Sequence, residues 1–171
     1  MSDTLKLVEQ LIAEHKVIKE KTLSAQKAAN DTSLLADLLK ARDSFVSGRP
    51  NWSQNLEKLW DMIKSIDTWL DKHFSREENI LLPAVVKLNN QELLDALETR
   101  LFEHHDLRER MLHSRERIAE LINGTLASNL WEATYQDIQV YLVHTWRLLS
   151  THAKNENHFF SDLRKQLKKA E

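Results

Sequence analysis

Apolar residues recur at the three- and four-residue spacing of an amphipathic helix in four long segments of the chain. In each segment the apolar positions form a stripe about three residues wide per two turns, with charged residues on the opposite side. The pattern therefore predicts four long helices. Their approximate positions are Asp3 to Ala29, Asn51 to Pro83, Gln91 to Ile122 and Ser128 to Lys169.

Local signals support these boundaries. Asn51 and Gln54 resemble an N-cap and its capping-box partner at the start of the second helix. Pro83 is expected to bend or end that helix, because proline disfavours helical geometry at the residue before it. The third helix should end at Asn123-Gly124, a common C-terminal signal.

The connection between the first two long helices, "DTSLLADLLKARDSFVSGRP", predicts a short extra helix that ends at Gly48. Four broad apolar stripes are best buried together in an up-down-up-down four-helix bundle, with the short helix packed on its outside. A coiled-coil dimer is disfavoured, because the stripes are too broad for a two-position seam. We therefore predict an all-α fold with residues 1–171 as a single domain.

Composition agrees with this class and excludes several others. The chain has only 2 glycines and 2 prolines among 171 residues, which disfavours a turn-rich β fold. A net charge of −2 gives no reason to expect nucleic acid, and no apolar run reaches the ~18 residues of a membrane span. The absence of cysteine excludes disulfides and thiolate metal sites. Since "MSDTLKLVEQ" lacks the blocks of a secretory signal, we expect a cytoplasmic chain.

Histidines carry the candidate chemistry. At ~100° per residue, each long helix directs one histidine to its apolar stripe, and in the second helix that stripe includes Ile66, Leu70 and Ile80. Two of these histidines are followed one turn later by an inward glutamate. The resulting set of six predicted metal ligands is His15, His73, Glu77, His104, His152 and Glu156. The histidines at positions 105, 113, 144 and 158 fall at the edges of the stripes or outside them, where surface roles are expected.

Each of these residues also has a simpler interpretation. A single inward histidine is more often a hydrogen-bonded core residue, and a single glutamate a boundary residue that reaches solvent. Four imidazoles and two carboxylates in one core, however, would be costly to bury without a cation to satisfy them. Nearby acids either orient the second ring nitrogens of the histidines or form part of a solvated helix face: Glu14, Glu78, Glu103 and Asp106.

This arrangement resembles the hemerythrin-like, or HHE cation-binding, domain over nearly the whole chain. The family has a histidine in the first helix, HxxxE in the second, a histidine in the third and HxxxE in the fourth, and "HFSREENILLP" is especially close to its second-helix motif. The resemblance implies two iron ions in a non-haem di-iron centre, bridged by Glu77 and Glu156, with manganese or zinc as substitutes.

One departure changes what the resemblance implies. The oxygen-carrying hemerythrins have HxxxH in the third helix, but this chain has Arg108 four residues after His104. Either His105, with Glu109 one turn later, completes the site, or the second metal keeps fewer protein ligands and leaves room for an exogenous molecule. This departure weakens a role in reversible oxygen storage more than it weakens iron binding.

Three functional classes follow. The first is a di-iron protein that binds dioxygen or nitric oxide for sensing, carriage or storage. The second is an iron-handling or redox-stress protein that stores iron, consumes peroxide or acts as a di-iron oxidase. The third is a structural module in which metal only stabilises the bundle. We favour small-ligand binding over catalysis, with no catalytic residue assigned.

Overall fold

The computed structural model describes residues 3–43 and 54–169, and every regular element in these two ranges is helical. The predicted all-α class is therefore confirmed. None of the helices in this part of the chain is both long enough and apolar enough to cross a membrane. The α-helices are α1 (Asp3–Ala29), α2 (Thr32–Asp43), α3 (Gln54–Arg76), α4 (Leu82–Val86), α5 (Gln91–Ile122) and α6 (Trp131–Lys169).

The predicted boundaries agree closely with these elements. The first and third long helices have the predicted ends, and α6 is preceded by a 3₁₀ turn, Ser128–Leu130, where the fourth was expected to begin. The Asn90 side chain caps α5 by accepting a hydrogen bond from the Leu93 amide, and Gly124 after α5 has φ 64°. The short helix α2 is present, but its predicted end at Gly48 and the Asn51 cap lie outside the described residues.

A π-helical turn, Glu77–Leu81, joins α3 to α4 and corrects two expectations. Of the two outcomes expected at Pro83, a bend or an end of the helix, the end is wrong: the helix continues to Val86, and the π turn finishes two residues before the proline. In a regular α-helix, the ring of Pro83 would clash with the carbonyl of Asn79, and Pro83 has no N–H to donate to that carbonyl. Because a π turn rotates less per residue, Leu81 is buried at the position where Ile80 was predicted, and Ile80 is 54% exposed.

The long helices contact one another in a closed ring. α1 packs against α3 and α6, α5 packs against the same two helices, and α2 lies against α3 and α6. Their buried side chains form two apolar clusters. One includes Ile66, Leu70, Leu107 and Leu149, and the other includes Leu11, Leu81, Leu97 and Phe160. Polar positions separate one cluster from the other along α1, α5 and α6, and between α3 and Leu81 of the π turn.

The C-terminal end of α1 is fastened to α6. The Ala29 carbonyl, which has no partner within its own helix, accepts hydrogen bonds from the Tyr135 hydroxyl and from the Gln139 side-chain amide. Tyr135 is itself buried, at 1% exposed. These bonds satisfy a buried carbonyl and fix the position of α1 along α6.

The two apolar clusters should dominate stability, and two leucines of α5 test this. Leu97 is fully buried, whereas Leu112 is 44% exposed. Leu97→Ala should lower the free energy of unfolding by about 2–5 kcal/mol, because it removes buried methyl groups and leaves a cavity. Leu112→Ala should cost no more than about 1 kcal/mol. Urea unfolding followed by circular dichroism measures both; equal losses would contradict the packing described here.

Candidate metal centre

All six predicted ligand residues are buried and lie together between the two apolar clusters. The four histidines come one each from α1, α3, α5 and α6, while Glu77 opens the π turn and Glu156 lies on α6. Their exposures are His15 8%, His73 1%, Glu77 0%, His104 0%, His152 3% and Glu156 0%. The predicted inward facing is confirmed; the role of these residues as ligands remains a prediction.

The six residues form two buried groups that share both glutamates. One group is His15, His73, Glu77 and Glu156, and the other is Glu77, His104, His152 and Glu156; in each, one ligand atom per residue lies within 4.8 Å of the others. Two imidazoles and two carboxylate oxygens at this separation offer a cation four donors.

Each glutamate directs one oxygen to each group. Glu77 Oε1 lies 3.5 Å from His73 Nε2, and its Oε2 lies 3.1 Å from His104 Nε2. Glu156 Oε2 lies 2.9 Å from His15 Nε2, and its Oε1 lies 3.1 Å from His152 Nε2. The two carboxylates are therefore arranged to link the two groups.

Several atoms in the centre lack any hydrogen-bond partner. Among the described residues, buried side-chain atoms without a partner include both oxygens of Glu77, Oε1 of Glu156, and Nε2 of His104 and His152. Leaving such atoms unsatisfied in the interior costs about 1–3 kcal/mol each. These five atoms belong to the two groups and are electron-pair donors when the imidazoles are neutral, whereas two further atoms without a hydrogen-bond partner, His113 Nε2 and Arg115 Nε, lie elsewhere. The centre therefore fits cations in chemistry as well as in size.

In each of the four histidines, Nδ1 is the outer ring nitrogen, which faces away from the centre. It contacts a polar side chain from a neighbouring helix. Glu14 lies 2.9 Å from His73 Nδ1, Glu78 lies 2.8 Å from His104 Nδ1, and Glu103 lies 2.7 Å from His152 Nδ1. Because a carboxylate only accepts, each Nδ1 carries the hydrogen, which leaves Nε2 free to face the centre with its lone pair. Three of the four acids considered from sequence are thus confirmed as partners.

Asp106 follows the other expected alternative, a solvated helix face, and the partner of the fourth histidine was missed. Asp106 is exposed and pairs with Arg110 at 2.9 Å instead. His15 Nδ1 lies 3.3 Å from Oδ1 of Asn157, which directly follows Glu156 just as Glu78 follows Glu77. The matching positions of Asn157 and Glu78 in the two HxxxE segments were the signal that could have identified it.

Each of the three outer carboxylates is also paired with an arginine. Arg76 Nη1 lies 2.9 Å from Glu14, and Arg100 Nη1 lies 3.0 Å from Glu103. Arg108 donates hydrogen bonds to both oxygens of Glu78, at 2.8 and 3.1 Å. These pairs restrict the glutamates and so hold the imidazoles in place. Sequence reasoning did not find them, because arginine and glutamate are common on helix surfaces.

Arg108 accounts for the departure noted in the sequence. It occupies the position of the second histidine of HxxxH, yet its guanidinium lies over the Phe74 ring, at 5.1 Å, and binds Glu78 rather than entering the centre. His105 and Glu109 are both exposed, so the alternative in which they complete the site is not supported by the geometry. α5 therefore directs one histidine, His104, into the centre.

Two phenylalanines pack directly on the imidazoles. Phe74 stacks on His104 with ring centroids 3.8 Å apart, and Phe160 stacks on His15 at 5.8 Å. Both phenylalanines are fully buried. They limit rotation of the imidazoles and cover these two faces of the centre with apolar surface.

When no cation is bound, electrostatic interactions within the centre shift the pKa values of several of its groups. Burial opposes the charged form of His73, but Glu14 and Glu156 outweigh it and raise its pKa to about 10. Burial likewise opposes the charged form of His104, but Glu156 and Glu77 outweigh it and raise its pKa to about 9. Burial and the charge of Glu156 raise the pKa of Glu77, whereas the surrounding imidazoles lower that of Glu156 despite its burial. Protonated His73 and His104 thus supply positive charge beside Glu156.

Comparison of the chain with protein-family models, with curated proteins and with solved structures found no match.

Proposed function

We propose that the chain is a hemerythrin-like protein whose four long helices form an up-down-up-down bundle around a non-haem di-iron centre. The closed ring of helix contacts supports this arrangement. So does the short connection of four residues, 87–90, between α4 and α5, because a short link between packed helices requires them to run in opposite directions.

The observation that carries the di-iron proposal is the sharing of Glu77 and Glu156 between the two groups, with one oxygen of each directed to either side. A carboxylate that bridges two cations offsets their mutual repulsion and satisfies both of its oxygens. Imidazole and carboxylate donors suit iron, with manganese or zinc as substitutes.

The number of protein donors supports small-ligand binding. Each group supplies four, fewer than an octahedral ion accepts, and Arg108 occupies the position from which a fifth histidine would come. Iron held there would supply a redox-active ion with vacant coordination positions. The protein residues fix the imidazoles and leave room for dioxygen or nitric oxide, for sensing, carriage or storage.

Optical spectroscopy tests this function. Protein loaded with ferrous iron without oxygen should be nearly colourless and should gain near-ultraviolet and visible absorption when dioxygen or nitric oxide is added. Zinc-loaded protein is the matched control and should show no change. Absence of any new absorption from the iron-loaded protein with both gases would contradict ligand binding at the centre.

The outer carboxylates provide a further prediction. Glu103→Gln should weaken metal binding about 10–100-fold, because the amide is a poorer acceptor for the His152 Nδ1 hydrogen and no longer pairs with Arg100. Glu98→Gln is the control, since Glu98 is exposed on the same helix and should leave affinity unchanged. Competition with a chelator of known affinity measures both; equal affinities would contradict a positioning role for Glu103.

A further inference from the structure

A cavity of about 500 Å³ opens between α1 and α6 and reaches the centre from the side of His15. Three of the four histidines of the centre, His15, His73 and His152, lie along it, as does His158. This volume is within the range of small-molecule sites, about 300–1,000 Å³, and is larger than a diatomic gas requires.

The walls of the cavity are largely apolar. Leu70, Phe74, Trp146 and Leu149 contribute side chains from α3 and α6, and Ile12 and Ile18 contribute them from α1. Phe74 is fully buried, and Leu70 and Leu149 are nearly so. A ligand that entered would therefore bury apolar surface beside the imidazoles, which favours a hydrocarbon portion.

The solvent edge of the same cavity is cationic. Lys16, Lys19 and Lys154 line it and are exposed, and no aspartate or glutamate is among its described lining residues. Within residues 3–43 and 54–169, none of these lysines makes an ion pair with an acid. The side of the centre reached here is also the one where Asn157, a neutral amide, holds the outer nitrogen of His15.

We propose that this cavity binds an amphiphilic organic anion, such as a medium-chain carboxylate, with its headgroup at the three lysines and its hydrocarbon chain directed toward the centre. Charge complementarity positions the headgroup, and the apolar walls hold the chain. The placement of the ligand's hydrocarbon chain beside iron rests on the proposed function. Binding of the ligand itself depends only on residues of the cavity.

Octanoate is the probe, with 1-octanol as the neutral analogue and acetate as the anion without a chain. Isothermal titration calorimetry of the full chain, as purified and after chelation, should show one octanoate site that binds more tightly than either control. Replacing all three lysines (K16Q, K19Q and K154Q) should weaken octanoate about tenfold and leave 1-octanol unchanged. The matched control replaces exposed lysines away from the cavity, K27Q, K40Q and K87Q, and should have no effect.

Equal affinity for octanoate and 1-octanol, or no effect of the cavity lysines, would overturn the proposal. It would also be overturned if octanoate bound only with metal present and regardless of the lysines, since the carboxylate would then be a metal ligand. Lysine-dependent binding by protein that takes up no iron would support the cavity site while contradicting the di-iron centre.

Discussion

Replacing His104 by alanine should weaken iron binding at one of the two positions at least about a hundredfold, whereas replacing His105 should leave it unchanged. His104 is fully buried with Nε2 3.1 Å from Glu77, and Glu78 holds its other nitrogen. His105 is its immediate neighbour and is exposed. The two substitutions remove the same side chain from adjacent positions, so they differ only in the direction in which the imidazole points.

Iron content after anaerobic loading and desalting measures the difference, with circular dichroism to show that both variants are folded. His104→Gln serves as a second variant that fills more of the space left by the imidazole. A larger loss in His105→Ala than in His104→Ala would mean that α5 is rotated from the orientation described here, and would bring Glu109 toward the centre.

Chelation should lower the melting temperature of the protein by several degrees or more while leaving it helical and cooperatively folded. Metal that binds only the folded chain stabilises it by mass action, about 2.7 kcal/mol at a free concentration one hundred times the dissociation constant. The two apolar clusters lie on either side of the centre and contain no ligand residue. They should therefore maintain the helices without metal, with protonated imidazoles balancing the buried glutamates.

Far-ultraviolet circular dichroism before and after chelation, at room temperature and through the thermal transition, tests this expectation. The re-loaded sample is the control and should regain the higher melting temperature. Loss of most helical signal on chelation at room temperature would indicate a purely structural metal, as in small domains that unfold without it. The preference for a ligand-binding centre would then be wrong.

The sequence predicted the helices and the inward histidines because both depend on one periodicity. A stripe that repeats every 3.6 residues fixes which side of α1, α5 and α6 is buried, and the phase of His15, His104 and His152 follows from it. That reasoning failed at Ile80, where the π turn changes the rotation per residue. No local pattern other than Pro83 indicated this turn.

Contacts between helices were predicted less well, because the residues in contact are far apart in the sequence and no local pattern links them. Glu14 precedes His15 but contacts His73, and Glu103 precedes His104 but contacts His152, so neither acid serves its own neighbour. Asp106 was equally plausible by spacing and is exposed. Which acid reaches which imidazole depends on how adjacent helices are aligned, and a single-helix pattern carries no such information.

Metal stoichiometry is the most direct test of whether the six residues hold two cations. Protein reconstituted with ferrous iron without oxygen, desalted and analysed for iron and protein, should contain about two iron ions per chain, since the two groups share Glu77 and Glu156 but have separate histidine pairs. Saturation at one iron per chain would contradict the dinuclear centre, and the absence of bound iron would contradict the metal site itself.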